Sequence, residues 1–497
     1  MDQEPAVAGP VPAGPQGAGK PRRKRIRKLL LRIYFVFQIL GLISAVDAIM
    51  STRTAQGAIA WSLGLVAAPV VSVPAYWVFG RSKFEGYLDA RREVQEEFDQ
   101  LYARARANLG AAAVEFDRPM PAWDALRGLS GARLVAGNRV ELLVDGEATF
   151  DSILAGIRAA EDYVLVQFYI VHDDGLGRRL KDAMIDRARA GVDVYLLYDE
   201  IGTDITKEYM QDLDAAGVRY SRFNTTQGTW NRFQLNFRNH RKIVVVDGRT
   251  AWIGGHNVGD EYLGLDPEFS PWRDTHVRLD GPIAIQAQGV FVFDWLWAQR
   301  ELLELNWAAQ PAPDADVSAV VVATGPADPL ETAGMFFVHA LNSATERIWI
   351  TAPYFVPDDA IIKAMMLATL RGVDVRVIVP GKGDSVLPQM AAYYYIEQLE
   401  ESAVKFYAYE PGFMHQKVML IDDQAVSIGT HNFDNRSFRL NFEVAAVVYD
   451  EAFAREVAAM LERDFAHSRL IHPEDYRARP WYWRFGVRLA RLMAPIL

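Results

Sequence analysis

Asn239-His240-Arg-Lys242-Ile-Val-Val-Val-Asp247 and Met414-His415-Gln-Lys417-Val-Met-Leu-Ile-Asp422 decide the fold of this chain. Both read HxKxxxxD. Each is followed by glycine and then asparagine, Gly254-Gly255-His-Asn257 in one case and Gly429-Thr430-His-Asn432 in the other. The asparagine stands 17 residues after the first histidine in both copies. With only nine histidines in 497 residues, two copies at matched intervals read as a duplicated half-site. Ile243–Val246 and Val418–Ile421 are continuous apolar runs closed by turn signals, Asp247-Gly248 and Asp422-Asp423, so both predict buried strands. Side chains two apart on a strand share a face, which sets His240 beside Lys242 and His415 beside Lys417.

The repeat extends beyond the motifs. Tyr163-Val-Leu-Val-Gln-Phe-Tyr169 parallels Arg347-Ile-Trp-Ile-Thr-Ala-Pro-Tyr354, and each is followed by a helical stretch ending at Ala190-Gly191-Val192 or Arg371-Gly372-Val373. A short apolar strand follows in each half, then a further helix, then the HxK hairpin. Strands alternating with helices predict an α/β fold, with two duplicated α/β sandwich domains of mixed sheet flanked by helices. The expected boundaries are residues 131–310 and 317–475. Residues 308–316, rich in Pro and Ala without periodicity, form the expected linker.

An imidazole titrates near neutrality and can attack phosphorus or pass a proton. A lysine ammonium, an asparagine amide and glycine N–H groups can hold the oxygens of a phosphodiester. No step requires a metal or another cofactor. No His/Glu spacing matches a zinc helix, and a chain without cysteine has no thiolate site. The constellation resembles the phospholipase D superfamily, whose two half-sites meet at a pseudo-two-fold axis. The resemblance implies ping-pong chemistry through a phosphohistidine, with His240 as nucleophile and His415 as acid and base, or, given the near-symmetry of the halves, the reverse. It makes His240, Lys242, Asp247, His415, Lys417 and Asp422 the catalytic set. Asn257, Asn432, Gly254, Gly255, Gly429 and Thr430 are then the phosphate contacts, and Asp274 and Glu443 the acids that orient the histidines. Plainer readings stand beside these: Asp247 and Asp422 as turn residues, and the glycines as relief of crowding. His256, His276 and His431 lack a lysine two residues on and read as packing groups near the site. His172, His339, His467 and His472 read as structural or surface residues.

The N-terminus points to a membrane. Residues 1–28 form an expected disordered head that ends in a basic cluster, Lys20 to Lys28. Residues 29–50 and 58–79 are apolar stretches of spanning length, with Pro69 and Pro74 allowing a kink in the second. Basic residues before the first and after the second (Arg81, Lys83), against Arg53 between them, put both ends in the cytoplasm, as a multi-pass inner-membrane protein. Residues 81–130 read as a helical connector. Residues 480–497 read as an amphipathic segment, lying in a bilayer interface or docked on the protein. The net charge of −10 argues against a general nucleic-acid binder, and the absence of cysteine suits a reducing compartment. Within the superfamily the chain is similar to the bacterial cardiolipin synthase branch. That similarity implies phosphatidylglycerol as substrate, the phospholipid membrane as partner and no nucleic acid; it leaves the oligomeric state open. The alternatives are hydrolysis to phosphatidic acid, phosphatidylethanolamine as donor, a nucleic-acid phosphodiesterase, and a non-catalytic membrane scaffold.

Overall fold

The two motif hairpins occupy equivalent places in one continuous mixed sheet. The computed structural model describes residues 9, 20–80, 87, 95–116, 121–223 and 236–497. The first half contributes β1 (Val135–Val144), β2 (Tyr163–Phe168), β3 (Asp193–Asp199), β4 (Arg219–Phe223), β5 (Arg238–Asn239), β6 (Ile243–Val246), β7 (Thr250–Gly254), β8 (Trp272–Arg273) and β9 (Thr275–Asp280). The second half begins with β10 (Val317–Thr324), β11 (Arg347–Thr351), β12 (Phe355–Val356), β13 (Asp374–Pro380), β14 (Lys405–Tyr409) and β15 (Phe413–Met414). It ends with β16 (Val418–Ile421), β17 (Ala425–Gly429), β18 (Phe433–Asp434), β19 (Asn441–Tyr449) and β20 (Ser468–Leu470).

Across the sheet the order is β4-β3-β2-β6-β7-β9-β1, then β10-β19-β17-β16-β11-β13-β14-β20. The halves match strand for strand about the antiparallel β1–β10 pair, with β20 an addition to the second. β2, β3 and β4 run parallel, as do β11, β13 and β14, while the motif hairpins β6–β7 and β16–β17 are antiparallel. The expected duplicated α/β architecture is present. The halves are not separate bodies, however: residues Lys83–Leu497 form a single compact unit. The reason is visible in the burial. Val245, Leu165, Leu420 and Val426 point into one shared core with the helices Ile283–Gln299 and Glu451–Ala466. Val244, Val246, Val164 and Val166 point the other way, against the helices Asp145–Arg158 and Gly175–Arg189. Strands covered on both faces read as unbroken apolar runs, which is why β6 and β16 carry no polar alternation. Residues 308–316 cross between the halves without regular structure, held by Arg139 donating to Pro313 O at 2.6 Å.

Asp247 and Asp422 close the motif strands at the end away from the histidines. Asp247 (φ 53°) and Gly248 (φ 64°) make the left-handed pair that a tight hairpin turn requires. The Asp247 carboxylate accepts the backbone N–H groups of Glu161, Asp162 and Tyr163 at 2.9, 2.8 and 2.8 Å. Asp422 does the same for Thr345, Glu346 and Arg347 at 3.0, 2.8 and 3.0 Å. Both were expected in the catalytic set. Their geometry is that of staples between the motif strand and β2 or β11, the turn reading carried further.

Residues Met1–Ser82 form the other unit. The helix Lys20–Ser51 begins inside the basic cluster, so residues 20–28, expected in the disordered head, are helical; apart from Gly9, residues 1–19 lie outside the described residues. Within it, Arg25–Ser51 is long and apolar enough to cross a membrane. The second apolar stretch is two short helices, Ala55–Ala67 and Pro69–Phe79. Pro69 has no N–H to donate and drives Ala68 out of helical geometry (φ −137°, ψ 59°), which breaks the segment there. Ala45, Ala48, Leu65, Val73 and Tyr76 pack the three helices together, and Tyr76 donates to Asp47 Oδ2 at 2.8 Å.

Of the expected connector, Phe84 and Leu88 lie outside the described residues, and the helix Gln95–Gly110 is present. At the C-terminus the helix Trp481–Arg491 does part of both things expected of it. Val487 and Ala490 are buried, and Arg488 pairs with Glu397 of the helix Val386–Leu399 at 2.9 Å. Trp481, Tyr482, Phe485 and Leu489 remain exposed on the same helix.

Asp247→Ala and Asp422→Ala should each cost about 1–3 kcal/mol of stability, from three backbone N–H groups, most of them only partly buried, losing a charged acceptor. Thermal unfolding of the detergent-solubilised protein measures this. A midpoint unchanged in both variants would refute the stapling role.

Candidate active site

Short parallel bridges between the halves place the histidines. β5 pairs with the start of β19 (Arg238 opposite Asn441, Asn239 opposite Phe442), and His240 N–H donates to Phe442 O at 2.9 Å. β15 pairs with β8 (Phe413 opposite Trp272, Met414 opposite Arg273), and His415 N–H donates to Arg273 O at 2.8 Å. Each motif therefore lies along the other half just before that half's acid. His240 Nδ1 meets Glu443 Oε2 at 2.9 Å, and His415 Nδ1 meets Asp274 Oδ2 at 2.6 Å. The carboxylates are crossed: the first histidine takes its acid from the second half, and the second from the first. The four groups expected from sequence thus come together, in pairs that sequence spacing alone did not give.

Both acids are fully buried, while each histidine keeps 8% of its surface exposed. A carboxylate on Nδ1 fixes the tautomer with the proton there and turns the Nε2 lone pair toward the open side. Lys242 Nζ donates to His240 O at 2.9 Å and Lys417 Nζ to His415 O at 2.6 Å. Lys417 also stands 2.9 Å from both ring nitrogens of His415.

Burial dominates the charge balance. It pushes His240 down to about 4, with Lys242 and Lys417 adding to the effect against Glu443. Burial and Lys417 push His415 down to about 3. Both imidazoles are therefore neutral in the empty site. Burial acts against ionising Glu443, yet His240 beside it holds it down at about 2. Asp274 lies well below the usual carboxylate range, held there against burial by His256, Lys417 and His415. Burial, with Lys417 nearby, lowers Lys242 to about 7; burial lowers Lys417 to about 8. Two weakened ammoniums in a buried site gain their full charge when an anion arrives, which is the behaviour of a phosphodiester cradle.

The expected phosphate contacts divide. Asn257 is committed to the protein: its Oδ1 accepts from Ile170 N–H at 3.2 Å, and its Nδ2 donates to the Tyr262 hydroxyl at 2.9 Å. Gly255 and Gly254 serve close packing, since a Cβ would sit 2.0 Å from Asp274 Oδ1 at the former and 2.4 Å from the His276 ring at the latter. Gly429 backs onto Val444 O in the same way, and Thr430 exchanges hydrogen bonds with the Val444 backbone. Asn432 is buried at the site, its N–H held by Ser437 Oγ at 3.1 Å. His256 and His276 pair through their Nδ1 atoms at 3.0 Å behind Asp274, and His431 bonds Thr324 Oγ1 at 2.9 Å. These three are packing groups near the site, as expected.

Sequence reasoning missed the supports. Arg241, between His240 and Lys242, turns to the other face and binds Asp294 at 2.6 Å, Thr324 O at 2.9 Å and Glu443 O at 3.1 Å. Asp294 also accepts from Gln167, Asn239 and Tyr87 at 2.6, 2.9 and 2.9 Å. In the other half Arg273 holds Asp464 bidentately at 2.8 and 2.9 Å, and Gln416 donates to the same carboxylate at 3.3 Å. Asp294, the one charged residue in the mostly apolar helix Ile283–Gln299, was the available signal. Tyr169 was also missed; its ring meets His240 edge-on at 5.1 Å.

Comparison with known proteins places this geometry. The family described as "Cardiolipin synthase, PLD-like domain" matches residues 153–272 and again 337–465, and "Phospholipase_D-nuclease N-terminal" matches 39–81. Cardiolipin synthase A of Pseudomonas fluorescens is 46% identical over 466 residues, covering 93% of this chain and 97% of that protein. Cardiolipin synthase A of Pseudomonas putida is 45% identical over 463 residues, covering 92% and 96%. Among solved structures, a phosphatidylserine synthase from Haemophilus influenzae superposes with a TM-score of 0.57 at 15% identity, over 76% of this chain and all of that one, a likeness of fold. Two matched repeats and near-full-length relatives show that this chain belongs to the cardiolipin synthase family of phospholipase D-like enzymes.

Proposed function

We propose that this chain is a phosphatidyltransferase that converts two phosphatidylglycerol molecules into cardiolipin and glycerol. The observation that carries the reading is the pair of buried imidazoles, each oriented by a carboxylate from the opposite half, in a family whose relatives are named for cardiolipin synthesis. His240 Nε2 attacks the donor phosphorus, and the bond from phosphorus to the glycerol oxygen breaks. His415, which takes up a proton from solvent as the diester anion binds, gives the departing glycerol that proton. The neutral His415 then takes the proton from a glycerol hydroxyl of the second lipid, whose oxygen displaces His240. Lys242, Lys417 and the Asn432 amide hold the non-bridging oxygens. Lys417 lies against the ring of His415, whereas Lys242 donates to the His240 carbonyl, which supports leaving attack to His240.

One diester is exchanged for another, so the reaction needs no nucleotide; its selectivity rests on keeping water from the phosphohistidine. Asp247 and Asp422 act as positioning residues. The enzyme works at the cytoplasmic face of a membrane it enters through Arg25–Ser51 and the two short helices after it. Its orientation is supported by the basic residues on both flanks and the single Arg53 between. Net charge −10 and the membrane segment weigh against a nucleic-acid substrate.

Mass spectrometry of products from phosphatidylglycerol vesicles tests the reaction. Cardiolipin with matching glycerol is expected; phosphatidic acid alone would make the protein a hydrolase. A phosphatidyl donor with a nitrophenol leaving group needs no general acid, so His415→Ala should release one burst equivalent of nitrophenol per site and His240→Ala none. The reverse pattern would exchange their roles. Diester binding requires both ammoniums charged, so kcat/KM should fall as pH rises through 7–8, where Lys242 and Lys417 lose their protons in the free enzyme. A rise across that interval would contradict the cradle.

A further inference from the structure

The proposed reaction sets a requirement that the two histidine half-sites leave unmet. The acceptor lipid brings a phosphodiester of its own, which is not broken. This anion must be held a three-carbon glycerol span from the reacting phosphorus. A single-phosphate site has no use for a second anion cradle; this one does.

The flank around His415 is closed: Trp272, Phe413 and Tyr262 pack against its ring and are buried. The flank around His240 is lined by the half-buried Tyr169, Arg238 and Arg436. Arg238 stands two residues before His240, so its side chain leaves the strand on the same face. Arg436 lies on the turn of helix Asn435–Arg439, and its guanidinium is pre-set by hydrogen bonds to Asn236 Oδ1, Asn236 O and Ile496 O, each 3.0 Å. Both arginines face Tyr169, whose ring in turn meets His240. Burial and the neighbouring Arg238 push the Arg436 guanidinium below its ordinary range. Arg238 Nη1 donates to Phe237 O at 2.6 Å, Asp199 interacts with Arg238, and Asp434 and Glu443 with Arg436. Asp199 accepts the N–H groups of Asn239 and Ile201 at 2.8 and 3.0 Å, and Asp434 accepts that of Ser437 at 2.7 Å.

The duplication supplies an internal comparison. Shifting by the 175 residues that separate the motif histidines, Arg238 corresponds to Phe413 and Arg436 to Glu261. Glu261 is engaged by His172 at 3.3 Å. The equivalent places thus carry an aromatic and an acid on one side, and two guanidiniums on the other. Catalytic groups are duplicated in this molecule; these two cations are not.

We propose that Arg238 and Arg436 form an anion subsite that holds the unreacted phosphodiester of the acceptor phospholipid. The inference rests on the phosphatidyltransferase reading above. Guanidiniums suit the task because they stay charged and bind phosphate oxygens in a planar, two-point geometry.

Free glycerol provides the test, because as an acceptor it carries no phosphate. Full-length protein in phosphatidylglycerol vesicles with labelled glycerol reports two transfers at once: cardiolipin formed, and label incorporated into phosphatidylglycerol. Arg238→Gln should lower the ratio of cardiolipin to labelled phosphatidylglycerol at least tenfold, and Arg238→Lys should recover part of it. Arg436→Gln should move the ratio in the same direction. An unchanged ratio in Arg238→Gln would overturn the subsite, whether both products persist or both fall together. Wild-type protein that incorporates label but forms no cardiolipin would instead overturn the reading on which the subsite rests.

Discussion

Everything in the catalytic unit answers to the crossed pairing of imidazole and carboxylate. A buried histidine is cheap when neutral and costly when charged, and the chemistry needs one to take on charge. Glu443 and Asp274 supply the compensation, and they do so only if the two halves meet in a fixed register. The short bridges β5–β19 and β15–β8 set that register, and the shared core behind the sheet makes it rigid. Separate domains joined by a linker would leave a hinge across the one place where a fraction of an ångström matters.

Behind each crossed pair lies a second layer of charge. Arg241 with Asp294, and Arg273 with Asp464, are buried ion pairs whose remaining polar atoms are largely taken up by amides and carbonyls. Such pairs contribute little net stability, because desolvation offsets the attraction. Their effect is orientation. Arg241 binds the carbonyl of Glu443 and Arg273 that of Asp274, so each guanidinium holds the backbone of an acid that meets one of the two histidines.

Much of this was legible in the sequence. Apolar runs such as Ile243–Val246 gave strands, matched spacings gave the duplication, and both orienting acids were named. What stayed hidden was of two kinds. Burial on both faces removes the periodicity that tells a strand where its core lies, so the merging of the halves into one sheet could not be seen. Partnership across the dyad is also invisible to spacing: nothing within 20 residues of His240 indicates Glu443. For Gly254 and Gly255 the sequence left phosphate contact and relief of crowding side by side, because both select for a missing Cβ. Asp274 Oδ1, 2.0 Å from where a Cβ of Gly255 would be, decides for packing there. Pro69 was flagged as a kink and proved a full break, since it brings no N–H and the residue before it, Ala68, leaves helical geometry.

The crossing of the carboxylates has a consequence for assembly. A chain holding one repeat would carry a histidine without its acid and an acid without its histidine, and would be inert until it met a second copy. Its activity would then rise with the square of its concentration and vanish on dilution. Fusing the copies through residues 300–316 replaces that encounter with a fixed effective concentration, and also frees the two sides to differ. A symmetric pair must offer the same flank to both substrates. A fused one can make one flank cationic and the other aromatic, which is what a reaction between a donor and an acceptor of the same chemical kind requires.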